Sequence, residues 1–322
     1  MARYNEGMTR TRLLALFAVL ALALALALAG CGGDDDGGGG GEGSKDAQAL
    51  LERAFSKQVD SAVLKLDLKA DLEGLDQLKG PVSLTVSGPF QSKGAKQLPI
   101  LDWDLKARFA GQNIDAGMVV TDDNAYVEFR GQAYEVGEQL FSQLKSSFAQ
   151  QQKQSGGQQS LKQFGIDPTG WLDDPKVEDG EDIGGDSTRK ISGEVDAKQL
   201  VKDVLGALRS PALRRQLESQ GQTVPDVKEE DVDKVTDAIE ELRFEVNVDE
   251  NDIARRLFAE AKFDVPDGAD AGDLKGGTIS FGFVLEEVGV EPKIVAPENP
   301  QPLNSLLGQF GLGGGLAIPQ QQ

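Results

Sequence analysis

The chain holds a single cysteine, and it closes the run Leu28-Ala29-Gly30-Cys31. This is a lipobox: a large apolar residue and two small ones ahead of a thiol that takes up a diacylglyceryl group before a peptidase cuts in front of it. Arg3, Arg10 and Arg12 precede an apolar stretch from Leu13 to Leu28, the layout of an export signal that is removed from the mature chain. Residues 1–30 are therefore expected to be a signal peptide. Cys31 becomes the lipidated first residue, tethered to the outer, extracytoplasmic face of the cell membrane. The alternative is an uncleaved anchor, because the stretch from Leu13 approaches the roughly 18 apolar residues that suffice for a span. The lipobox also explains why the one cysteine sits where it does. Two or three acyl chains, each buried CH₂ contributing about 0.8 kcal/mol, anchor stably where one chain is marginal.

Other reactive constellations are missing. The chain has no histidine, which removes Ser-His-Asp and Cys-His catalysis, zinc-protease helices and the usual proton shuttle. Once Cys31 carries lipid, no thiol remains for a disulfide, a metal or a nucleophile. Gly88 to Gly94 has the outline of a phosphate loop, but Ala95 stands where its lysine belongs, and no G-x-S-x-G elbow occurs. Paired carboxylates of the glycosidase kind are unavoidable among 53 acidic residues and so point to nothing. Asp249-Glu250-Asn251-Asp252 lacks the central glycine of a calcium loop and reads as a hairpin turn. Asp34, Asp35 and Asp36 lie in a glycine linker and read as solvated. No enzyme, metal or cofactor is expected. The formal net charge is −20, and losing residues 1–30 with their three arginines makes it more negative. Such a surface repels phosphates, so nucleic acid is excluded as a partner.

The elements that must carry the function begin after a flexible tether, residues 31–44, whose Gly/Asp composition buries nothing. Ala47, Leu50, Leu51, Ala54 and Phe55 then mark one face of a helix, with Ser44 as its N-cap. The period switches to two in Leu64–Leu72, Val82–Val86, Leu101–Phe109 and Ile114–Val120, each a strand with one apolar face. Turn chemistry at Thr121–Asn124 and Gly131-Gln132 brackets two short strands, Ala125–Arg130 and Ala133–Val136. A helix with Leu140, Phe141, Leu144 and Phe148 follows and runs into Gln150–Gln159, a loop or a frayed extension. Strand character resumes at Thr188–Val195. Asp196 and Gln199 then form a capping-box-like pair for a helix through Leu208, and Ser210-Pro211 restarts a helix. Val232, Val235 and Ile239 outline another. Three long alternating runs, Leu242–Val248, Leu257–Val265 and Ile279–Leu285, complete the strands. A short helix spans Leu303–Leu307, and residues 311–322 read as a disordered tail.

These patterns predict one α+β domain, residues 45–310, built on a single antiparallel sheet of about 10–11 strands, wet on one side and covered by helices on the other. About ten strands present roughly 1,300 Å² of apolar face, and about 70 helical residues cover roughly 1,050 Å². The covering layer falls slightly short, which leaves room for an apolar ligand between the layers.

The segment DNAYVEFRGQAYEVG, Asp123 to Gly137, with the amphipathic helix behind it, the segment TGWLDDPKVEDGEDIGGDSTRKISGEVDAKQL and the closing pair of long strands, resembles the LppX/LprAFG lipoproteins of the bacterial envelope, within the LolA-like group. The resemblance runs from about Ala47 to Leu307. It implies a curved half-barrel sheet, closed on its concave side by helices, around a hydrophobic cavity that receives the acyl chains of a lipid or lipoglycan for transport or presentation. Leu66, Leu84, Leu105, Phe129, Phe244, Phe281 and Phe283 are then candidate lining residues. The expected partners are the membrane through Cys31, an acylated lipid or lipoglycan, and a membrane transporter or other protein of unknown identity. The rival expectation is a structural or protein-interaction lipoprotein without a ligand cavity.

Overall fold

The computed structural model describes residues 42–78, 80–94, 97–154, 168–209, 229–266 and 273–309. The signal peptide, the lipobox, Cys31, the tether up to Gly41, the helix start at Ser210-Pro211, the second half of the glutamine-rich stretch and the C-terminal tail lie outside them. No helix among the described residues is long and apolar enough to cross a membrane.

Helix α1 spans Glu42–Ser56. Its Ala47, Leu50, Leu51 and Ala54, spaced three and four apart, are all buried, as the periodicity predicts. It begins two residues ahead of Ser44, which therefore lies inside the first turn and does not cap it. Strand β1, Ser61–Glu73, follows, and from it a meander runs outward. Its strands are β2 (Val82–Gln91), β3 (Ile100–Phe109), β4 (Gln112–Val120), β5 (Ala125–Phe129) and β6 (Gln132–Glu135). Ala110-Gly111 and Arg130-Gly131 both hold positive φ at each residue, the two-residue turn whose twist matches antiparallel strands. Helix α2, Glu138–Gln154, then packs back, and it takes the first half of the glutamine-rich stretch into its last turns.

On the other side of β1 a second meander runs inward through β7 (Leu172–Asp179), β8 (Thr188–Val195), β9 (Ile239–Asp249), β10 (Ala254–Asp264) and β11 (Gly276–Glu286). Helices α3 (Ala197–Arg209) and α4 (Glu229–Ala238) stand between β8 and β9. Strand β11 pairs with β1 in the register Leu66–Phe283 and Leu68–Phe281, so the first and last long strands meet in the middle of the sheet. The chain then returns to the far edge, where the two-residue strand β12, Gln301–Pro302, pairs with β6, and helix α5, Leu303–Gln309, follows. The sheet order is β12-β6-β5-β4-β3-β2-β1-β11-β10-β9-β8-β7.

The expected fold class, an α+β domain on a single sheet, is what the structure has, with three differences of detail. β12 runs parallel to β6, so the twelve-stranded sheet is mixed. β7 was not legible as a strand, because LDDPKVED has no alternation. It is an edge strand interrupted at Pro175 by a register shift between Asp173 and Lys176, and an edge tolerates both. Ile239 opens β9 instead of ending the helix before it. The Asp196 cap is present, its Oδ1 accepting from the Gln199 N–H at 2.9 Å, but the Gln199 side chain donates to Asp203 Oδ1 at 2.7 Å and the reciprocal half of the box is absent.

The hairpin between β9 and β10 ties three elements together. Arg53 Nε of α1 and Arg189 Nη2 of β8 reach the Asp252 carboxylate at 2.8 and 3.1 Å. The hydrogen bond from Arg53 holds the Asp252 carboxyl below the usual carboxylate range. The lowered folded pKa stabilises the native state above the ordinary carboxylate pKa, and this contribution disappears as the pH falls through the lowered value. Both arginines are solvated, so the effect is at most about 1 kcal/mol. Asp252→Asn is expected to lower the stability measured by urea unfolding by that amount at pH 7 and by nothing near pH 2.

Candidate functional site

Strand register fixes which side chains share the apolar face. One row runs Val246, Leu257, Phe283, Leu66, Val86, Leu105, Ala116, Phe129 across eight strands. The next runs Phe244, Ala259, Phe281, Leu68, Leu84, Ala107, Ile114. Both rows change character near β1. From β9 to β11 they are sealed beneath α1, whose Leu50 and Leu51 belong to the same core cluster as Leu66, Phe244, Phe281 and Phe283. Trp171 meets Phe244 edge to face, with ring centroids 5.5 Å apart. From β2 to β5 the same rows are only half-buried, the second ending on Ile114 at 42% exposure, and on the same face of the neighbouring rows Phe109 is 55% and Met118 39% exposed.

The difference follows from where the helices sit. α2 reaches this half of the sheet through Phe141, which packs on Leu101, Val120 and Ala125 at one end of β3, β4 and β5. Phe90 and Trp103 touch both this cluster and the one beneath α1, bridging the two covers. Among the described residues, neither core cluster continues beyond that bridge toward Leu105 and Ala107. Among the described residues this leaves a half-buried apolar surface over β2–β5, called the trough below.

The seven sequence-derived lining candidates divide accordingly. Leu66, Phe244, Phe281 and Phe283 come together as packed core beneath α1. Leu84, Leu105 and Phe129 lie half-buried on the trough floor. Phe109, Ile114 and Met118 belong with them, although the sequence does not mark them as lining residues. Their signal was present in the strand alternation, but nothing local says which part of a face the helices leave uncovered. Arg130 places its guanidinium 5.1 Å from the centroid of the Phe129 ring, a cation on the rim.

The opposite face of the same strands is charged, with Asp102, Asp104, Lys106 and Arg108 alternating along β3. Burial, and then the neighbouring Asp104, push the Asp102 carboxyl above its ordinary range. A second apolar feature lies on the outer side of α2, where Val136, Leu140, Leu144 and Leu303 line a shallow groove of about 380 Å³ together with Gln143 and Ser147. The trough and groove offer apolar area with few polar groups, the kind of surface that suits hydrocarbon chains.

No family model and no curated protein matches the chain. Among solved structures, the chain is similar to the crystal structure of LprF from Mycobacterium bovis, at 16% sequence identity and a TM-score of 0.36, over 80% of this chain and 99% of that one.

Proposed function

We propose that this protein is a non-enzymatic lipoprotein, held on the outer face of the cell membrane through lipid on Cys31, that takes up the acyl chains of an envelope lipid or lipoglycan for transport or presentation. The observation that carries this reading is the half-open trough over β2–β5, where Leu84, Leu105 and Phe129 lie on an apolar floor and Phe109, Ile114 and Met118 are exposed. A continuous apolar surface of this kind is unfavourable in water and marks a binding site on a soluble domain. The lipobox and the resemblance read from Asp123 to Gly137 support the same conclusion.

Extraction of the domain lacking residues 1–31, followed by mass spectrometry, tests it. The truncation removes the anchor's own acyl chains, so stoichiometric acyl lipid in the extract comes from the trough. A lipid-free domain would sink the carrier reading. It would instead favour an interaction lipoprotein with a protein partner, the reading to which the exposed Leu144 beside Leu303 lends support. Separately, Cys31→Ser is expected to release the protein from the membrane fraction or to leave it unprocessed. Unchanged fractionation and an unchanged N-terminus would remove the lipid anchor from the account.

A further inference from the structure

The chain has two tryptophans, and their indole N–H groups differ. Trp171 donates to Asp203 Oδ2 at 2.9 Å. Trp103 Nε1 is buried and has no hydrogen-bond partner among the described residues. A buried donor without an acceptor is costly, and native folds keep one where something else satisfies it.

Trp103 stands at a particular place. It is on the apolar side of β3, in line with Leu101 and Leu105, where the two helix covers end and the trough begins. Its partner across β2 is a glycine: β2 and β3 pair Ser87 with Asp104 and Phe90 with Leu101, which puts Gly88 opposite Trp103. Gly88 has a φ of +142°, and a Cβ there would fall 1.9 Å from the Asp102 carbonyl oxygen, so this position stays without a side chain. On the other flank its partner is Met118, 39% exposed, whose flexible thioether can move aside. Polar protein groups are thus absent from both cross-strand neighbours, and with Nε1 closed off from solvent, a shift of the Met118 side chain would open the way for a ligand in the trough to supply the acceptor.

We propose that Trp103 is a specificity-determining contact of the trough, its indole N–H donating to the carbonyl oxygen of a bound acyl ester, so that the site prefers esterified chains to equally long chains without a carbonyl. This rests on the lipid-binding reading above. An apolar trough alone discriminates poorly among hydrocarbons, whereas a buried donor penalises any ligand that leaves it unpaired.

The test compares dipalmitoylglycerol with its dialkyl ether analogue, by competition for the full chain in one fixed detergent buffer. The wild type is expected to bind the ester about fivefold or more tightly than the ether, the worth of one neutral hydrogen bond. Trp103→Phe, which keeps the apolar bulk, is expected to bind both probes alike. In wild-type protein labelled with ¹⁵N-indole, the ester shifts the Trp103 Nε1–H resonance downfield and leaves that of Trp171 in place, a readout that needs no variant to fold. Equal affinity of the wild type for ester and ether, or an unmoved Trp103 resonance with the ester bound, overturns the role of Trp103 and leaves the lipid reading standing. Failure of both probes to bind overturns both.

Discussion

Replacing Arg255 by methionine is expected to cost about 3–5 kcal/mol of folding stability, the usual penalty for stranding one member of a buried ion pair. Arg255 is 1% exposed. Its Nη1 lies 3.2 Å from Asp249 Oδ2 and 2.5 Å from Asp186 Oδ2, and its Nε donates to the Leu285 carbonyl at 2.9 Å. Asp249 is itself buried, and its other oxygen accepts the backbone N–H groups of Asn251 and Ile253. One guanidinium therefore joins β10, β11, the β9–β10 turn and the Ile183–Asp186 bridge. The register shift between Ala254 and Arg256 is a bulge at Arg255, which re-aims this one side chain out of the alternation. Methionine fills a similar volume but leaves the Asp249 carboxylate without its counter-charge. Adding Asp249→Asn to that variant removes the stranded charge, keeps an acceptor for the turn, and is expected to recover part of the loss. Urea unfolding of the wild type, the two single variants and the double variant measures the coupling. A loss below about 1 kcal/mol for Arg255→Met would show that the pair is not sealed from solvent as the structure has it.

The second large effect is on ligand content. Leu105→Gln and Leu84→Gln each put an amide on the trough floor, where a bound chain would cover a leucine worth about 1.5–3 kcal/mol when fully buried. Each is expected to lower the acyl lipid retained by the domain about tenfold or more. Folding stability should fall far less, because both leucines are only half-buried. Phe281→Ala is the contrast. At 1% exposure beneath α1 it is expected to lose about 3–5 kcal/mol of stability by opening a cavity in the core. Unchanged lipid content in both glutamine variants would move the ligand away from β2–β5.

Much of this architecture is legible in the sequence. Alternation of period two names the apolar side of seven strands, because each side chain's direction depends only on its own backbone. The i, i+3, i+4 spacing of Ala47, Leu50, Leu51 and Ala54 does the same for α1. The turn at Asp249–Asp252 is written in residues that bond their own backbone. Where local signals failed, a non-local partner decided. β7 and β12 are strands because neighbours offer them edges, and Ile239 belongs to β9 because β10 pairs with it.

What the sequence determined by itself is therefore an oily side and a wet side for each element, an acidic chain without histidine, and one cysteine at the end of Leu28-Ala29-Gly30-Cys31. Which stretches of the oily side are core and which form a trough was decided only when β11 came to lie against β1 and α1 settled over the core of β1 and β7–β11. Leu66 and Leu105 occupy the same row and look alike in the sequence. One is sealed and the other half-open because burial depends on what the distant chain brings over a face, and periodicity carries no record of that.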